Sequence, residues 1–255
     1  MKVKSSIVYR GPSLIDGKPI VAVAIISSAN TKTGGMLQTY IMRADIDPRL
    51  ASKSGEDFSI CGSCPSRGIA TNDPDVSQAK ERACYVLLGQ GPLIVWKSMQ
   101  RNLYPDVTGH ADIAAIGTGR MVRLGTYGDP AAVPSYIWDS LLSLAEGHTA
   151  YTHQSGMAGA DVRHDLFMTS ADTLADATHA WSQGRRTFRV VNAVSDIVKG
   201  AEILCPASKE AGNKTTCFKC GLCAGSLVNA KSIAIPAHGA GSVHIRNRYA
   251  TATAA

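Results

Sequence analysis

The stretch MVRLGTYGDPAAVPSYIWDSLLSLAEGHTAYTH, Met121 to His153, decides the fold. Met121-Val-Arg-Leu124 has the apolar and β-branched content of a short strand. Gly128-Asp129-Pro130 supplies the residues of a tight turn. From Val133 to Ala145 the apolar residues Ile137, Leu141 and Leu144 recur at helical spacing. His148 to His153 then reads as a second strand, whose alternation puts Tyr151 and His153 on one face. A helix between two strands predicts parallel pairing through a right-handed crossover.

The same alternation continues toward the C-terminus. Leu166 to Thr169 is a strand, Asp172 is the expected cap of a helix through Trp181 that Gly184 ends, and Thr187 to Val191 is the next strand. Ser232 to Pro236 is the last strand candidate. Toward the N-terminus, the apolar run Ile20 to Ile26 and the segment Met36 to Arg43 read as two strands around the polar loop SSANTKTGG. Asp47-Pro48 opens a short helix, and Pro92 opens another that ends near Tyr104-Pro105. Trp96, Trp138 and Trp181 sit among apolar helical neighbours and are expected in the core. The fold class expected is α/β, a partial (β/α) barrel or an open parallel sheet. A β-rich segment 1–60, a core 61–200 and a cysteine-rich segment 201–255 are expected to form one compact unit. In such folds ligands gather at the carboxyl ends of the strands.

A chain of 255 residues, 45% hydrophobic and 18% charged, has a globular balance. It contains no apolar run long enough to cross a bilayer. The start MKVKSSIVYRG has lysines but no apolar stretch behind them, so no secretory leader is expected. The expected compartment is the cytoplasm, where thiols stay reduced. Seven cysteines, an odd number, also argue against a disulfide framework. The net charge of +6 suits a nucleotide or nucleic-acid partner and equally suits a mildly basic protein with none, because the cations are scattered. Gly239-Ala240-Gly241 lacks the lysine and following helix of a phosphate loop, and no Gly-x-Ser-x-Gly occurs.

The cysteines fall into two sets. The late one, Cys205, Cys217, Cys220 and Cys223, packs three thiols into TCFKCGLCAG and a fourth into Cys205-Pro206. Cys-x-x-Cys-x-x-Cys with a Cys-Pro elsewhere resembles the ligand run of [4Fe–4S] ferredoxins, and Gly221 and Gly225 let the backbone wrap a bulky inorganic core. A structural zinc and plain core thiols are the other readings. The early set, Cys61, Cys64 and Cys84, has three thiols and no evident fourth. It is either an open site, with one metal position free for substrate, or a closed one completed by a distant histidine or carboxylate. His153 at a strand end is a candidate acid, base or fourth ligand, and also reads as an ordinary surface or core histidine. Asp129 is a candidate ligand-binding carboxylate or a simple turn residue. His238, in IPAHGAG, is a candidate metal or substrate contact.

Taken together, ICGSCPSRG, RACYVLLGQGPLIVWK, RLGTYGDPAAVPSYIWDSL, HTAYTHQ and CP…TTCFKCGLCAG resemble phage and mobile-element proteins of the gene-product-88-like group, from about Cys61 to His238. That group is distantly similar to radical S-adenosylmethionine enzymes, in which three cysteines ending in a Cys-aromatic pair hold a [4Fe–4S] cluster at the mouth of a partial barrel. Cys84-Tyr85 matches the Cys-aromatic position, although nineteen residues separate Cys84 from Cys64, where the family keeps all three in one short loop. The resemblance implies a bacterial host cytoplasm, one or two [4Fe–4S] clusters and S-adenosylmethionine as cofactor. It further implies a cofactor contact from the Gly128-Asp129 loop. With it, Asp129, Tyr151 and His153 are the expected catalytic lining, His238 a further cofactor contact, and the late cysteines the holders of an auxiliary cluster. The competing expectation is a non-enzymatic nucleic-acid- or protein-binding module stapled by structural zinc or iron–sulfur sites.

Overall fold

The computed structural model describes residues 3–28, 30–239 and 241–253. Ala29, Ala240 and the last two residues of the alanine-rich tail lie outside the described residues. Ten strands form two five-stranded sheets. The first has β1 (Ser6–Pro12), β2 (Pro19–Ile25), β3 (Leu37–Arg43), β4 (Met121–Tyr127) and β5 (Gly147–Thr149) in chain order. The second contains β6 (Tyr151–Thr152), β7 (Met168–Ala171), β8 (Thr187–Val191), β9 (Glu202–Leu204) and β10 (Ser232–Pro236) in the order β6-β7-β8-β10-β9. Strands β1 to β3 pair antiparallel, and every later pairing is parallel. Only Ala150 lies between β5 and β6, so a single stretch of chain serves both sheets. No barrel closes. The predicted strand 148–153 is this shared stretch, interrupted where Ala150 turns its N–H to the carbonyl of Cys223 (2.9 Å).

Eight α-helices connect the strands: α1 (Pro48–Ser54), α2 (Phe58–Cys61), α3 (Gly91–Gln100), α4 (His110–Gly117), α5 (Ser135–Leu142), α6 (Leu174–Ser182), α7 (Cys217–Cys220) and α8 (Ser242–Thr253). The Asp47 carboxylate caps α1, as expected, with Pro48 at its first position. The expected cap at Asp172 is a correction: Thr173 caps α6 in a reciprocal box with Asp176. Because Thr173 and Asp176 satisfy each other and the first N–H groups, the carboxylate of Asp172 is left for other work. Strand β1, β9, α4 and α8 were not foreseen. The first two are short or weakly alternating, and α4 is a near-continuous apolar and small-residue segment with little amphipathic contrast.

Val122 and Leu124 of β4 join Ile113 and Ile116 of α4 and Ile137, Trp138 and Leu141 of α5 in the main core. Trp138 is fully buried and gives its indole N–H to the carbonyl of Pro130 (2.9 Å). Each such large side chain removed from water contributes about 1.5–3 kcal/mol. Trp96 and Trp181 are only partly buried. The second sheet is held differently. Arg189 of β8 and Glu202 of β9 form a bidentate pair (2.8 and 2.6 Å), 3% and 0% exposed, across the intervening β10. The register partner of Arg189 on β10 is Ala234, whose small side chain leaves room for the pair to cross.

His148 on β5 gives its Nε2–H to the carbonyl of Leu166 (2.9 Å), which ties β5 to the segment leading into β7. Burial holds its pKa below the ordinary 6.5. The folded state therefore favours neutral imidazole, and this stabilisation is complete above the unfolded value and is lost as pH falls below it. Thermal melts from pH 7.5 down to 5 should show a fall in midpoint that begins near pH 6.5 and is flattened in His148→Gln. An identical slope in the variant would remove the assignment.

Candidate metal centres

The Cys61–Cys64 loop packs at the carboxyl ends of β4 and β6, against Asp129 and Gln154. Helix α2 ends at Cys61, and Gly62 turns the chain at φ 50°, ψ −126°. A side chain on Gly62 would collide with the Gln154 amide oxygen, so glycine is required there. That amide is the centre of a clamp. Its Oε1 accepts from the N–H of Ser63 (3.1 Å), and its Nε2 donates to the carbonyl of Cys61 (2.8 Å) and to Asp129 Oδ2 (3.0 Å). Asp129 also accepts from the N–H groups of His153 (2.8 Å) and Ala131 (3.0 Å), and its own N–H reaches Ile60 (2.6 Å). Arg67 secures the other side of the loop through Asp57, Gly55 and Gly62. Cys84 joins from a distant part of the sequence because the Ser66 carbonyl accepts both Ala83 N–H (3.2 Å) and Cys84 N–H (3.0 Å). Arg82 fixes the carbonyls of Cys84 (3.0 Å) and Val86 (2.7 Å).

His153 completes the group. Its Nε2 lies 3.8 Å from Cys64 Sγ and 3.5 Å from Asp172 Oδ1, the carboxylate freed by the capping of α6 elsewhere. Burial alone would depress the imidazole, but Cys64 and Asp172 outweigh it and hold its pKa well above the ordinary value. Burial pushes the Cys61 thiol well up, with Asp57 and the neighbouring thiols adding to it, and burial likewise raises Cys84. These two thiols keep their protons at neutral pH until a metal displaces them. The Tyr127 hydroxyl is buried without a partner, in electrostatic reach of Cys61 and Cys84. A cavity of about 280 Å³ opens beside Cys84, lined among others by Arg82, Leu88, Gly241 and His244.

The late set lies on the other sheet. Cys205 follows β9, Cys217 and Cys220 bracket α7, and Gly221 ends that turn in the left-handed region at φ 61°. The N–H groups of Cys217 (3.3 Å) and Phe218 (3.0 Å) bond the carbonyls of Lys32 and Thr33, which docks α7 on the β2–β3 loop. Arg186 organises the rest. Its guanidinium donates to the carbonyls of Leu222, Gly225, Ala230 and Lys231, each at 2.7 or 2.8 Å. Burial raises Cys205 and pushes Cys223 up to about 12. Both sets lie within range for the charge of one thiolate to raise its neighbours, Cys61 with Cys64 and Cys84, and Cys223 with Cys205, Cys217 and Cys220.

All seven cysteines are free thiols. Among the described residues, no three His, Cys, Asp or Glu side chains are drawn in tightly enough to hold a single metal ion. One zinc at about 2.3 Å from each sulfur would pull the sulfurs to about 4 Å apart. A cluster spreads its thiolates over different irons, so it asks for less contraction.

The other expected site residues are placed as follows. Asp129 accepts three protein donors and positions the Cys61–Cys64 loop. Gly128, at φ 80°, packs where a Cβ would come within 2.6 Å of the Ile41 carbonyl, a contact with β3. Tyr151 stacks on Phe188 (centroids 4.6 Å apart) beside Cys223, so it belongs to the late set. His238 donates Nδ1–H to Pro236 (2.9 Å), and its Nε2 accepts from Lys32 Nζ (2.7 Å), at the edge of the late set. Gln154, Arg67 and Arg186 were missed. A glutamine or arginine that acts by collecting carbonyls from a distant loop leaves no spacing pattern in a sequence.

No protein family, curated protein or solved structure matches the chain. No helix among the described residues is long and apolar enough to cross a membrane.

Proposed function

We propose that the protein is an iron–sulfur enzyme of the radical S-adenosylmethionine type, with an open cluster on Cys61, Cys64 and Cys84 and a closed auxiliary cluster on Cys205, Cys217, Cys220 and Cys223. The observation that supports this reading is that the segments carrying Cys61, Cys64 and Cys84, all partly buried, are pinned to one another through the Ser66 carbonyl and the Gln154 amide, next to the unpartnered Tyr127 hydroxyl and a cavity beside Cys84. The run Cys217-x-x-Cys220-x-x-Cys223 with Cys205-Pro206 supports a cluster over a single ion, since soft thiolates suit iron–sulfur centres. When bound, such a cluster supplies one-electron chemistry to a co-substrate at its free iron. The chain's own residues do the rest. Gln154, Asp129 and Arg67 fix the thiol-bearing loop, His153 holds a proton on Nε2 between Cys64 and Asp172, and Arg82 offers a cation to an anionic substrate entering the cavity beside Cys84, which His244 also lines. A nucleotide or nucleic acid is the substrate class that the net charge of +6 suits.

A specific observation favours a second reading. The contact between His153 Nε2 and Cys64 Sγ is what a Cys₃His structural zinc would use, and a non-enzymatic binding module would then follow. Iron, zinc and acid-labile sulfide analysis of anaerobically purified protein separates the two. Brown protein with about four irons and four sulfides per centre is the expected result. Colourless protein with stoichiometric zinc overturns the iron–sulfur reading.

A further inference from the structure

Two arginines close to the late cysteines are buried, each 7% exposed, and neither has a carboxylate within ion-pair distance among the described residues. Arg186 grips the carbonyls of Leu222 and Gly225, on either side of Cys223. Arg123, on β4, lies over the Tyr151 ring (5.2 Å) and gives Nη2–H to the hydroxyl of Tyr85 (2.5 Å). Tyr151 is itself beside Cys223, and Tyr85 follows Cys84. Arg123 is also within electrostatic reach of Cys217. A third cation, Lys32, is tied to the same place through its carbonyl, which accepts the N–H of Cys217, and its charge reaches Cys205. The register partners of Arg123 are Gln38 and Thr149, and both carry a buried side-chain oxygen with no partner. Around Arg123 this face of the first sheet is polar and cationic, and among the described residues no carboxylate pairs with it.

An isolated buried cation is costly, and removing its solvent without a counter-charge costs several kcal/mol. Arg43, Arg67 and Arg189 each face a carboxylate, whereas Arg82, 9% exposed, bonds the carbonyls of Cys84 and Val86 beside the early cysteines. Four thiolates around a divalent ion carry a net charge of about −2, and a cluster held by four thiolates is likewise anionic. We propose that Arg123, Arg186 and Lys32 are the built-in counter-charges of an anionic metal centre on Cys205, Cys217, Cys220 and Cys223. Arg123, through Tyr85, also ties that centre to the early set. They are positioning residues and bind no metal themselves. The inference rests on the late set holding a metal, and it holds for zinc and for iron–sulfur alike.

The test uses the full-length chain carrying Cys84→Ala, reconstituted anaerobically, so that the retained metal reports on the late centre. Loss of metal to a chelator is followed in the parent and in Arg123→Leu, Arg123→Lys and Lys32→Gln. Removing a residue that supports a metal's ligands typically weakens retention about 10–100-fold. Arg123→Leu should lose metal at least about 10-fold faster than the parent, Arg123→Lys should stay close to the parent, and Lys32→Gln should fall between. Lys32 is on the surface, so its variant folds, and it decides the matter if Arg123→Leu does not fold. Lys32→Gln or Arg123→Leu releasing metal at the parent rate overturns the counter-charge inference. A parent with no metal that Cys220→Ser removes would instead overturn the proposed function, and the two failures are distinguishable.

Discussion

Cys84→Ala should leave a folded protein that, on the proposed iron–sulfur reading, keeps one metal centre of two. The Cys84 backbone is held by the Ser66 carbonyl and by Arg82, neither of which needs the thiol, so the loop keeps its course. Losing one of three thiols removes a strong ligand from a centre that has no spare cysteine. Metal content per chain should fall by half, with circular dichroism unchanged. Cys220→Ala should take the other half and leave the early centre intact, because α7 is docked on the β2–β3 loop and the Cys61–Cys64 loop on Asp129 and Gln154. Metal analysis with a thermal melt on each variant makes the check. Full metal content in Cys84→Ala would remove Cys84 from the site. Unfolding of both variants would favour metals that only staple the fold.

Glu202→Ala should cost about 3–5 kcal/mol, the usual effect of removing one partner of a buried ion pair. Arg189 would then keep its charge in a site 3% exposed, with the carboxylate that takes two of its N–H groups gone. Glu202 Oε2 also accepts the N–H of Val198, so the turn into β9 loosens as well. In a domain of this size the melting midpoint should drop by roughly 10 °C or more. Cys205 lies just past the end of β9, so the late centre should bind its metal more weakly in the same variant. Replacing Arg189 and Glu202 together by methionine should recover most of the loss, since apolar pairs of similar volume substitute well for buried ion pairs. A midpoint within 2 °C of the parent in Glu202→Ala would show that the pair contributes little.

The strand–helix–strand unit from Met121 to His153 was legible because turn chemistry, helical spacing and strand propensity agree along it. Spacing alone divides the cysteines along the chain into an early and a late set. The membership of Cys84 was legible only through the Cys-aromatic pair, since the carbonyl of Ser66 that brings it in is an ordinary backbone atom. Alternation puts Tyr151 and His153 on one face and makes them look like one site, yet β6 ends at Thr152: Tyr151 lies beside Phe188 and Cys223, while His153, past the strand end, reaches Cys64 and Asp172. Asp172 looks like a helix cap in sequence. It loses that role to Thr173 and Asp176, and this leaves its carboxylate beside His153. Such outcomes depend on which of two equivalent local solutions the tertiary structure selects, and local pattern cannot rank them.

The clamp on the Cys61–Cys64 loop has a consequence for biosynthesis. The amide that fixes Ser63 belongs to Gln154, 91 residues further along the chain. At ordinary translation speeds roughly 5–20 s pass between the emergence of the loop and that of its anchor. During that interval Cys61 and Cys64 leave the ribosome untethered and open to oxidants. The course of the Cys61–Cys64 loop is therefore completed late, only once the segment bearing Gln154 has emerged and folded against it.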